Sequence, residues 1–167
     1  MSDSATTATA SGRSQSGGLP SPGELAHFFD SSLDLLCIAD FEGHFLHVNP
    51  AWSHVLGYTE AELVQRPFLD FVHPDDVAAT LAEMEGLSED TDTIHFQNRY
   101  RAADGRWVWL PWSSRPDVPS RRIYAVAKDI THLKEIESAL AARNAALEQA
   151  DRMKREFLAN MSHELRT

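Results

Sequence analysis

Val48-Asn49-Pro50-Ala51-Trp52-Ser53-His54-Val55-Leu56-Gly57-Tyr58-Thr59-Glu60-Ala61-Glu62 carries a strand end straight into two helix starts. Asn49-Pro50 opens the first helix, and Gly57 supplies the left-handed residue that closes it. Two residues on, Thr59-x-x-Glu62 is a capping box, in which the threonine hydroxyl and the glutamate carboxylate each take an otherwise orphaned amide. The stretch predicts an α+β domain whose short helices separate two groups of strands.

Upstream, residues 36–39 and 45–48 are short apolar strands joined by Asp40-Phe41-Glu42-Gly43, whose glycine suits a hairpin turn. Before them, Ser21-Pro22-Gly23-Glu24 is a second capping box, and Leu25, Phe28 and Phe29 give a brief leading helix its apolar stripe. Residues 1–20 are mostly Ser, Thr, Ala and Gly, with too little apolar surface to offset the entropy of ordering, and are expected to be a disordered tail.

Downstream, His73-Pro74-Asp75-Asp76 opens a third helix, with Val77, Leu81 and Met84 as its expected buried stripe. Residues 93–101 alternate, placing Ile94, Phe96 and Tyr100 on one side and His95, Gln97 and Arg99 on the other. Ala103-Asp104-Gly105 is a turn. Residues 107–114 and 122–128 complete an antiparallel pair, with 115–121 as the loop. Trp107 and Trp109 oppose Val108 and Leu110, so both faces of that strand should be covered, the tryptophan face by the leading helix or a second subunit.

This order resembles a PAS domain, and the local motifs agree: Val48-Asn49-Pro50-Ala51-Trp52, Leu56-Gly57-Tyr58, His73-Pro74-Asp75-Asp76 and the closing Asp129-Ile130-Thr131. The expected fold is therefore α+β, a PAS fold with a five-stranded antiparallel sheet and short helices on one side, followed by a long coiled-coil-like helix. The expected organisation is a tail over 1–20, a PAS sensory domain over 21–131, a helical linker over 132–154, and the start of a phosphoacceptor domain over 155–167.

After Pro119 there is neither Gly nor Pro, and the composition from Ile130 favours one long helix. Leu133, Ile136, Leu140, Leu147, Ala150, Phe157 and Met161 fit a heptad seam interrupted by Arg143 and Lys154, which predicts a homodimer through the C-terminal helix. On the same wheel Phe157, Leu158, Met161 and Leu165 share a stripe, with His163 roughly opposite, towards water.

The ending Phe157-Leu158-Ala159-Asn160-Met161-Ser162-His163-Glu164-Leu165-Arg166-Thr167 resembles the phosphoacceptor box of two-component histidine kinases. The resemblance implies that His163 accepts the γ-phosphoryl group of ATP and passes it to a response-regulator receiver domain. It also implies that Glu164 is the general base and that Thr167 positions water for dephosphorylation. ATP would be bound by a domain absent from this chain, so the fragment alone is expected to be inactive. The chemistry suits an exposed imidazole, which must meet a phosphoryl group in line and then present it to another protein. The competing reading is a non-catalytic PAS ligand-binding or dimerisation module.

The remaining composition narrows the partners. A formal charge of −10 without clustered Lys or Arg disfavours nucleic acid. No apolar run approaches the ~20 residues of a membrane span, and no secretory signal follows Met1, so a cytoplasmic location without a membrane segment is expected. Cys37 is the single cysteine and no metal site is expected. Trp52, Phe96, Asn98 and Trp112 are candidate pocket residues for an unknown ligand, weighed against an ordinary aromatic core. Asn98 interrupts the apolar face of its strand and needs a partner, which a ligand could supply. Gln65-Arg66-Pro67-Phe68 stands where flavin-binding PAS relatives carry a reactive cysteine, which argues against a flavin–cysteine photosensor, and residues 77–85 lack the histidine of haem-binding ones, which disfavours haem, with His54 and His95 the only alternative ligands left open.

Overall fold

The expected hairpin forms as β1 (Leu35–Asp40) and β2 (Phe45–Val48), turning at Gly43 with φ +93°. The computed structural model describes residues 19–166, so the expectations for 1–18 and for Thr167 lie outside the described residues. The leading helix α1 (Pro22–Ser31) starts at the Ser21–Glu24 capping box. After the hairpin come α2 (Ala51–Leu56), ended by Gly57 at φ +79°, and α3 (Glu60–Val64), started by the Thr59–Glu62 box. Helix α4 (Val77–Ser88) follows a 3-10 turn in which the His73 Nδ1 accepts from the Asp75 amide. Strands β3 (Thr93–Arg101), β4 (Trp107–Asp117) and β5 (Arg122–Ala127) complete the sheet, and α5 (Thr131–Glu164) leaves it.

The five strands lie in the order β2-β1-β5-β4-β3, every neighbour antiparallel. Their inner face, with Tyr100, Val108, Leu110 and Ile123, packs under α2 to α4. Trp52 is wholly buried at the centre, its indole N–H donating to the Leu36 carbonyl at 3.0 Å and its ring 4.8 Å from that of Phe45. Asn49 is buried beside it. Its amide nitrogen is shared among the carbonyls of Phe29, Ser32 and Asp34, while its Oδ1 accepts from the Leu36 amide. One side chain thus fastens the end of α1 and the start of β1 to the strand exit that precedes α2.

The structure corrects several expectations. In β3 the side chains do not alternate throughout: a bulge at His95, where φ is +68°, shifts the register between Ile94 and Phe96. Thr93 is consequently buried and Ile94 faces solvent. In α4 the inward stripe is Val77, Thr80, Met84 and Leu87, while Leu81 is exposed, because the Thr80 hydroxyl is used inside the domain. Strand β4 runs on to Asp117, leaving only 118–121 as the loop. Pro116 is tolerated there because β3 has already ended opposite Ser114, so its strand is single-sided at that point. A 3-10 turn at Phe68–Phe71, not expected, adds two buried aromatic rings. The tryptophan face of β4 meets the first turn of α5, not α1: Lys134 Nζ lies 5.3 Å from the Trp109 ring centroid.

Helix α5 passes through the expected boundary at residues 154 and 155 without interruption, and none of its 34 residues is buried.

Candidate functional site

Between α4 and the inner face of the sheet lies a cavity of about 60 Å³, lined among others by Thr80, Glu83, Phe96, Asn98, Tyr100 and Trp112. A space of that size can hold a few ordered waters, well short of the several hundred Å³ of an ordinary ligand pocket. Phe96, Asn98 and Trp112 are thus brought together as expected. Trp52 is not in the lining; it belongs to the packed core.

Asn98 is 1% exposed, and its partners are protein groups. Its Oδ1 accepts from the Trp112 indole at 2.7 Å, and its Nδ2 donates to the Thr80 hydroxyl at 3.1 Å. The Thr80 hydroxyl donates in turn to the Asp76 carbonyl at 2.8 Å. Burial pushes the Cys37 thiol and the Tyr100 phenol up, which keeps both protonated and makes Cys37 a small apolar packing group.

A second constellation sits where α5 begins. Ile130 donates to the Trp109 carbonyl at 3.0 Å, the Trp109 amide donates to the Thr131 hydroxyl at 3.0 Å, and the Asp129 carboxylate accepts from the Thr131 amide. Asp129-Ile130-Thr131 is therefore stitched to the middle of β4. Beside it, Arg99 grips Asp76 with both arms of its guanidinium, Nε to Oδ2 at 2.8 Å and Nη2 to Oδ1 at 2.7 Å, and its amide donates to the same carboxylate. This fork holds the Asp76 carboxyl below its ordinary range and raises the arginine, the hydrogen bonds outweighing the cost of partial burial. The Arg99 guanidinium also lies 5.1 Å from the Trp109 ring centroid. Sequence reasoning missed this pair, reading Asp76 only as a helix start and Arg99 only as an outward strand residue. Pairing them requires β3 and the start of α4 to be placed in three dimensions.

His163 lies in the last turn of α5, exposed to solvent, and Glu164 is the last helical residue. The flanking Phe157, Leu158, Met161 and Leu165 are exposed as well, from 42% at Met161 to 82% at Leu165. Among the described residues no group of His, Cys, Asp and Glu is arranged to hold a metal ion, and no helix is long and apolar enough to cross a membrane.

A sheet covered on one face by short helices, a small interior with polar groups, and a long helix rooted on the other face are the architecture of a PAS domain followed by a C-terminal helix. The chain belongs to the PAS-fold family, whose family model matches residues 45–128, half of the chain. It is similar to the sensor protein DivL of Caulobacter vibrioides, 45% identical over 67 residues, or 40% of this chain and 8% of that protein. It is also similar to the cell-division control histidine kinase PdhS of Brucella ovis, 30% identical over 149 residues, or 86% of this chain and 14% of that protein. Among solved structures, the PAS domain of an HTR-like protein from Haloarcula marismortui matches with a TM-score of 0.57 and 25% identity, covering 65% of this chain and 90% of that one. The chain thus spans roughly a tenth of the length of these two curated relatives.

Proposed function

We propose that this chain is the sensory and phosphoacceptor portion of a two-component sensor histidine kinase. In this reading, His163 is phosphorylated from ATP bound by a separate catalytic domain and hands the phosphoryl group to an aspartate of a response regulator. The observation that carries it is the run from Phe157 to Thr167, with His163 exposed on a helix that continues unbroken from the PAS sheet. The similarity to PdhS supports it, since an alignment over 86% of the chain must extend past the PAS domain into α5.

Glu164 follows as the general base, accepting from one ring nitrogen so that the other attacks, and Thr167 as the residue that positions water in the reverse reaction. A parallel homodimer through α5 completes the reading, because the seam residues Leu133, Ile136, Leu140 and Leu147 are all about half exposed in the single chain. The Asp129-Ile130-Thr131 joint would carry changes in the sheet into the packing of the two helices.

The test is to incubate the chain with a matching histidine-kinase catalytic domain and ATP. The expected product is an acid-labile, base-stable phosphoryl label that His163→Gln abolishes. A label that survives the substitution, or none on the parent chain, favours the non-catalytic PAS module.

A further inference from the structure

We propose that Thr80, Asp76, Arg99 and Trp109 form a relay through which the state of the cavity sets the seating of the first turn of α5. The inference rests on reading α5 as the output element. Every link is a contact already described: Trp112 to Asn98, Asn98 to Thr80, Thr80 to the Asp76 carbonyl, the Asp76 carboxylate to Arg99, and Arg99 to the Trp109 ring that Lys134 also approaches.

The chain of contacts is continuous from an indole in the cavity lining to a lysine in the first turn of α5. Asp76 is its hinge. Its backbone carbonyl faces the cavity network through Thr80, and its carboxylate faces the outer network through Arg99, so one residue cannot move for one without moving for the other. Arg99 is equally constrained. A bidentate fork and a backbone amide on the same carboxylate leave the guanidinium little freedom, and its strand position directly opposite Trp109 lays it by the indole. The Trp109 backbone, finally, holds both Ile130 and Thr131. A shift of α4, which supplies Thr80, Glu83, Met84 and Leu87 to the cavity wall, would therefore be felt at the root of α5.

Coupling is reciprocal in binding and opening equilibria, which gives the test two directions. Amide hydrogen exchange of the whole chain, without ATP or a kinase domain, reads Ile130, Thr131 and Lys134 at one end and the first turn of α4 at the other. Thr80→Val, which keeps shape and removes the hydroxyl, should speed exchange at these three amides at the root of α5 by roughly three- to tenfold. Arg99→Gln should do the same, and the double variant should be no faster than the faster single one. Lys134→Gln, a change outside the core, should loosen the first turn of α4, and Lys134→Arg should restore parental exchange there. The proposal is overturned if Thr80→Val leaves those three amides at parental rates, if the double variant multiplies the single effects, or if Lys134→Gln leaves α4 unchanged. Because the readout needs no phosphoryl transfer, a failed label on His163 leaves this result standing, and a failed relay leaves the label intact.

Discussion

Trp52 and Phe157 are both large aromatic side chains on helices, yet the first is wholly buried and the second 62% exposed. Trp52 sits on a helix of six residues whose stability comes from the sheet beneath it. Phe157 sits on a helix of 34 residues with nothing over its apolar side. The core of the PAS domain is buried within one chain, whereas the apolar side chains of α5 stay exposed, the surface that the proposed dimer would cover. Substitutions should therefore divide sharply: those in the domain read as folding stability, those in α5 as association.

The largest effect on stability is expected from Trp52→Ala, which removes the central ring and its hydrogen bond to Leu36; urea denaturation should show a loss of about 3–5 kcal/mol. A loss below about 1 kcal/mol would erase the contrast. Asn49→Ala comes next, at roughly 1–3 kcal/mol, because four backbone groups lose their shared partner. Amide hydrogen exchange of that variant should show protection lost first around α1.

Acid sharpens the comparison further. The Asp76 carboxyl is held low in the folded domain by Arg99, so its contribution is fully present above the unfolded value of ~3.9 and disappears as pH falls through the lower folded value. Arg99 stays charged across that window and adds no slope. Asp76→Asn should flatten the acid limb of the stability curve below about pH 4. An unchanged limb would mean the fork contributes no pH dependence. The smallest effect on the domain, under about 0.5 kcal/mol, is expected from Leu140→Glu in the middle of α5. On the proposed dimer, sedimentation should nevertheless show the parent as a dimer and that variant as a monomer; a dimeric variant would place the contact elsewhere.

Much of the fold was legible because its signals are local. The boxes at Ser21 and Thr59, the turn at Gly43 and the cap at Gly57 each act within a few residues, and each forms where it was expected. The misses share a different cause. Whether Thr93 or Ile94 points inward depends on a bulge that pairing with β4 fixes, and whether Thr80 or Leu81 is buried depends on what Asn98 needs from across the cavity. The candidate pocket was half legible for the same reason: aromatic residues announce burial, but only the packed structure separates Trp112, at the cavity wall, from Trp52, in the core. The His163 segment is a local motif, but its face on the wheel is not distinguished in the single chain, where the stripe residues Phe157, Leu158, Met161 and Leu165 are exposed as well.

The unbroken length of α5 has a geometric consequence. His163 stands 32 residues beyond Thr131, or about 48 Å along the axis at 1.5 Å per residue, so a tilt of about 5° at the base swings the imidazole by about 4 Å. A stiff rod thus amplifies: adjustments too small to disturb the sheet become, at the far tip, displacements comparable to the distance that separates a reacting pair from a non-reacting one.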